Sequence, residues 1–144
     1  MNTNEDIEQF LENFWTAAPG KVSKVDGDHV DVILCVNNKL CNGMAVEIPV
    51  LESVPLMRLG CSSFKINLSI KKGDPLLVIF MSADPFGWDT KREGEISDAH
   101  SVARNALNHA VAIPMSKETG SPKGSLDVAD DGTVTINGHL EIKP

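Results

Sequence analysis

Chemistry in this chain would have to come from the stretch 82–100, SADPFGWDTKREGEISDAH. Asp84, Asp89, Glu93, Glu95 and Asp98, with His100, are side-chain types that bind metal ions or exchange protons. Their spacing matches no ligand motif. His29, His100, His109 and His139 are scattered, with no HxH or HExxH pair. A solvated surface loop is the plainer reading of the acids, and a metal-dependent hydrolase built on them is the weakest of three functional readings. Cys35, Cys41 and Cys61 are an odd set without CxxC spacing, which reads as reduced thiols in a protein made in a cytosol. Cys35 lies in an apolar strand pattern and is expected in the core. The chain has neither a glycine-rich phosphate loop nor a nucleophile elbow. The expectation is no catalytic residue, no metal site, no cofactor and no enzymatic activity.

Composition narrows the partners. The chain has 144 residues, 42% of them hydrophobic, which is enough for one domain with a core and an appendage. The net charge of -7 opposes binding to duplex DNA or an anionic membrane, which needs a local excess of Lys and Arg. Single-strand binding by a barrel needs stacking aromatics and a basic groove. Here Tyr is absent and aromatics are 5%. The acidic N-terminus has no apolar run and reads as no signal peptide. No stretch approaches the roughly 20 apolar residues of a membrane span.

The elements are read around residues 64–81, FKINLSIKKGDPLLVIFM. Phe64, Ile66, Leu68 and Ile70 alternate with polar residues, the mark of a strand with one buried face. After Gly73-Asp74-Pro75, residues 76–81 are apolar without alternation, so both faces should be covered, by a helix of the chain or by a neighbouring subunit. Before this pair, Ile7, Phe10, Leu11 and Phe14 stand at i, i+3, i+4 and i+7, one stripe of a helix. That helix packs on its own domain or, alternatively, docks on a neighbouring protein. Residues 21–26 and 29–36 read as strands joined at Asp26-Gly27. Val46, Ile48 and Val50 mark a third strand over 45–51, and Pro49 makes it an edge or a bulge. Val32, Leu34, Ile48, Ile66, Leu68 and Ile79 are the expected core. Residues 101–108 read as a helical turn, and HAVAIP at 109–114 as a short strand. The resulting division is a helix at 1–16, a mainly β domain at 17–115 that suits a small closed barrel of the OB (oligonucleotide/oligosaccharide-binding) type, a linker at 116–124 and a short β tail at 125–144.

The tail repeats apolar-x-apolar pairs: Leu126 and Val128, Val134 and Ile136, Leu140 and Ile142. Asp131-Gly132 and Asn137-Gly138 separate them. Strands this short bury little alone. Either they fold as a meander with type I′ turns on their own barrel, or identical tails pack on each other. The linker favours the second.

In order, WTAAPGKVSKVDGDHVDV, VEIPVL, FKINLSIKKGDPLLVIFMSADPFGW, SDAH and HAVAIP resemble the N-terminal OB-fold domain of bacteriophage central-spike proteins, from the baseplate puncturing device of contractile tails. The similarity covers residues 14–115. It includes the turn at Lys72-Gly73-Asp74-Pro75, the aromatic loop Phe86-Gly87-Trp88 and the closing strand ending at Pro114. The resemblance implies a homotrimer whose tails wind into an intertwined β-helix or β-prism, with Leu126, Val128, Val134, Ile136, Leu140 and Ile142 at the trimer interface. It implies a structural virion protein, made in the host bacterial cytoplasm, that contacts the baseplate's hub or tube protein and transiently the bacterial outer envelope. Two departures stand out. The tail is only a needle stub ending at Pro144, and the HxH iron site found at several spike tips is missing, since Leu140 and Glu141 follow His139. A separate tip protein would then cap the trimer, unless the spike is blunt. No lysozyme-like insertion is present. The main alternative is a monomeric OB-type binding module.

Overall fold

The computed structural model describes residues 3–12, 14–39, 42–85, 103–117 and 120–144. The protein is mainly β, with one short α-helix and a curled antiparallel sheet that forms a half-barrel. Helix α1 spans Thr3–Glu12, with Glu5 and Asp6 in its first turn, where carboxylates suit the helix dipole. The sheet is built from β1 (Ala17–Asp26), β2 (His29–Leu34), β5 (Leu51–Pro55), β6 (Pro75–Phe80) and β7 (Ala110–Ile113), in the order β5-β2-β1-β6-β7. Two very short strands, β3 (Asn38–Lys39) and β4 (Ala45–Val46), pair outside it. The curl brings the chain just past β5 onto β7: Leu56 bridges Ala112 in parallel, and the Met57 N–H donates to the Ala112 carbonyl at 2.7 Å.

Alternation on each strand fills the concave face. Ala18, Gly20 and Val22 of β1 point inward beside Val30 and Val32 of β2 and Leu76, Val78 and Phe80 of β6. Gly20 is needed for space. A Cβ there would lie 2.7 Å from Val32 Cγ1 and 3.2 Å from Val78 Cγ2. The β1–β2 turn places Gly27 at φ +59, first of its two loop residues, as in a type II′ hairpin. Trp15 closes one end of the core against Phe80, ring centroids 5.4 Å apart, and its backbone N–H donates to Asn105 O.

Several expectations are corrected. Val32 is buried, but Leu34, Ile48 and Ile79 are only half-buried, and Ile66 and Leu68 are exposed. Residues 64–70 are not a strand of the sheet. The edge they would have joined is taken, because β6 has β1 on one side and β7 on the other. The segment instead turns back on itself, with Gly60 bridging Lys65 and the Ile66 N–H donating to Leu59 O. The expected strand at 45–51 splits into β4 and β5, leaving Val50 exposed. The run 76–81 does alternate in space: Leu76, Val78 and Phe80 are buried, while Leu77 and Ile79 are half-buried. Cys35, just past the end of β2, is exposed rather than core.

The tail forms a hairpin of β8 (Ser125–Val128) and β9 (Val134–Asn137). Leu140 and Ile142 follow it outside any strand, so the third pair makes no ladder. Its turn is not type I′, which needs positive φ at two successive residues. Only Gly132 has it, at +85.

Candidate interaction surfaces

The tail hairpin has two unlike faces. Leu126 pairs with Ile136 and Val128 with Val134, so all four side chains share one face. Each is between 58% and 68% exposed, and Leu140 and Ile142 beyond them are exposed too. The other face is polar and internally bonded. Ser125 Oγ donates to Asp127 Oδ2 at 2.7 Å, and Asn137 Nδ2 donates to both at 3.0 Å. At the turn, the Asp131 carboxylate accepts the Thr133 backbone N–H at 2.9 Å. That bond holds the Asp131 carboxyl below its ordinary range. The turn and the polar face order the hairpin, yet among the described residues nothing covers its apolar face.

A second apolar surface lies on the barrel. The alternating Ile66, Leu68 and Ile70 line a groove of about 390 Å³ with Leu56, Ile113 and Met115; Ile70 also packs against the core, while Ile66 and Leu68 are exposed. Leu59 also lines it and is 76% exposed. The one charged side chain in the lining, Arg58, is held by Asp28 at 2.9 Å. Alternation alone predicts a strand here and gives no sign of a groove. The usable signal was Gly60 and Gly73 bracketing the segment. At its tip the exposed Cys61 thiol is 3.2 Å from Ser63 Oγ, and that contact, with the backbone bonds of Ser63 and Phe64, lowers its pKa.

Of the acids and histidine of residues 82–100 considered for chemistry, only Asp84 lies within the described residues. Among the described residues no group of three or more His, Cys, Asp or Glu could hold a metal ion. Asp84 is half-buried, whereas Phe86, Trp88, Asp89, Glu93, Glu95, Asp98, His100 and Cys41 lie outside the described residues. His109 is fully buried, its Nδ1 3.2 Å from Met81 O and its Nε2 without a partner. It packs below β6 as a core residue. His29 is half-buried on β2 and His139 exposed in the tail. Among the described residues no helix is long and apolar enough to cross a membrane. Compared with known protein families and with curated proteins, the chain matches none.

Proposed function

We propose that this chain is a structural virion protein: the homotrimeric central spike at the baseplate hub of a contractile phage tail or related injection particle. It helps to puncture the cell envelope and plugs or connects the tail tube. In this reading it is not an enzyme and uses no cofactor. The observation that carries the proposal is the tail hairpin, whose bonded polar face backs an apolar face that the described residues leave open. Three such faces turned toward one axis bury each other, at about 25 cal/mol per Å² of apolar surface. Two further features support the reading. One is the ordered set of sequence motifs that resembles phage spikes. The other is the strand order β5-β2-β1-β6-β7 with its parallel Leu56–Ala112 bridge, which fits a five-stranded Greek-key barrel of the OB type. In this reading the partner is the hub or tube protein of the baseplate, and either a separate tip protein caps the trimer or the spike is blunt.

Among the described residues a monomeric ligand-binding module could use the groove at Leu68 and Ile113 or a cleft of about 300 Å³ lined by Glu52, Ser53, Leu107 and Asn108. Such sites carry a few convergent polar groups, and in the groove the only charged side chain is already paired. Size exclusion with light scattering tests the proposal. The full chain should give the mass of three chains, and deletion of residues 125–144 should weaken or abolish the assembly. A single-chain mass at every concentration overturns it.

A further inference from the structure

We propose that Asn137 is a site of spontaneous deamidation, and that the carboxylate it becomes opens the end of the tail hairpin. This does not depend on how many chains assemble. Asn-Gly occurs twice in the sequence, at 42–43 and 137–138. The dipeptide reacts with itself in water because glycine has no side chain to shield its backbone nitrogen. The Gly138 nitrogen, once it gives its proton to solvent, attacks Cγ of Asn137. The Cγ–Nδ2 bond breaks, the nitrogen leaves as ammonia with a proton from water, and a succinimide ring remains. Water then opens the ring at Cγ to give aspartate, or at the backbone carbonyl to give isoaspartate. Nothing is oxidised or reduced, and water is the only co-reactant. The site is open to this chemistry. Asn137 is the exposed last residue of β9, and among the described residues the Gly138 N–H donates to no backbone carbonyl.

The neighbours of Asn137 give the reaction its consequence. The Asn137 amide nitrogen donates to Asp127 Oδ2 and to Ser125 Oγ, each at 3.0 Å, and Ser125 Oγ donates to the same Asp127 oxygen at 2.7 Å. An ionised carboxylate only accepts, so this clip needs a donor at position 137. Deamidation replaces the donor nitrogen with an oxygen of a second carboxylate. Two negative oxygens then stand where a 3.0 Å hydrogen bond stood, and like charges on paired strands repel. Ser125 has a single hydroxyl proton and can serve only one of them. The ladder ends at the Ser125–Asn137 pair, so the break falls on its last rung, beside Leu126 and Ile136. A two-stranded hairpin is marginal in water, and losing a rung matters. Asn42 is different. Its Oδ1 accepts the Met44 N–H at 3.0 Å, and a carboxylate there would accept the same bond. Conversion at 42 is therefore silent, and conversion at 137 is not.

The test holds the full chain at mildly alkaline pH and follows it by tryptic peptide mass spectrometry. The peptide 124–144, released by cleavage after Lys123, should gain the mass of a deamidation and split into aspartyl and isoaspartyl forms. Asn137→Gln, whose longer side chain closes the ring far more slowly, should stay unchanged over the same time. In parallel, amide hydrogen exchange in residues 125–128 and 134–137 should speed up about two- to tenfold in Asn137→Asp, the equivalent of one lost hydrogen bond. Asp127→Asn in that same variant puts a donor back opposite the new carboxylate and should restore the exchange rate, which a folding defect would not. If the Asn42 peptide converts and the Asn137 peptide does not, the folded hairpin protects its own asparagine and the inference fails. Conversion at neither position overturns it too. Unchanged exchange in Asn137→Asp would show that the two carboxylates part without opening the ladder, which overturns the consequence drawn from the clip.

Discussion

Ile136 offers the sharpest test of the tail. It is 58% exposed and directly opposite Leu126. Fully burying an aliphatic side chain stabilises by about 1.5–3 kcal/mol, so covering what Ile136 still exposes is worth about 1–2 kcal/mol per chain. Ile136→Ala removes most of that, about 1 kcal/mol, and three-fold symmetry counts it three times, about 3 kcal/mol per trimer. At 1.4 kcal/mol per decade this is about a hundredfold in the assembly constant. Trimerisation depends on the square of concentration, so the midpoint should rise about tenfold in a sedimentation or light-scattering dilution series. Ile136→Asp sets three carboxylates against one another on the axis and should leave single chains. Thr135→Ala, on the opposite face beside Asp127, is the control and should change nothing. If Ile136→Asp keeps the trimer mass at every dilution, the apolar face is not the interface and the reasoning is refuted.

Three further outcomes follow from the barrel and the turn. Leu76→Ala, at a fully packed β6 position, should cost about 2–5 kcal/mol in urea unfolding. Leu68→Ala should leave the barrel's stability within about 0.5 kcal/mol. Gly20→Ala should lower the urea midpoint by an amount equivalent to about 1–3 kcal/mol, because the new methyl meets Val32 and Val78; an unchanged midpoint would show that the sheet yields there. The Asp131 carboxyl is held below its ordinary range by the Thr133 N–H, so its help to the turn is present above the unfolded carboxylate pKa. That help is lost as pH falls through the lowered folded value. Amide shifts of residues 125–137 should follow this loss in an NMR titration and be flat in Asp131→Asn; the same titration in both would rule the bond out as the cause.

Much of the sheet was legible because its signals are local. The β1–β2 hairpin follows from Asp26-Gly27 between two alternating runs, β7 from HAVAIP, and β8 and β9 from two apolar-x-apolar pairs around Asp131-Gly132. Alternation identifies a segment with one apolar face. It does not say what that face meets. Ile66, Leu68 and Ile70 have the same period as β6, yet they line a groove, because β6 has only two edges and β1 and β7 hold both. The same limit explains Cys35: its N–H still donates to Pro19 O, but its side chain, just past the end of β2, is exposed. Gly20 carried no local signal either. Its role appears only when Val32 and Val78 close over it from two other strands.

The sequence by itself determined the pairing of apolar residues in the tail, since the two-residue period and the turn fix which side chains share a face. Only the tertiary structure decided that the tail's face stays open among the described residues and that the groove exists. Each of these depends on which edges and faces the five-stranded sheet has already used, and no window of sequence contains that account.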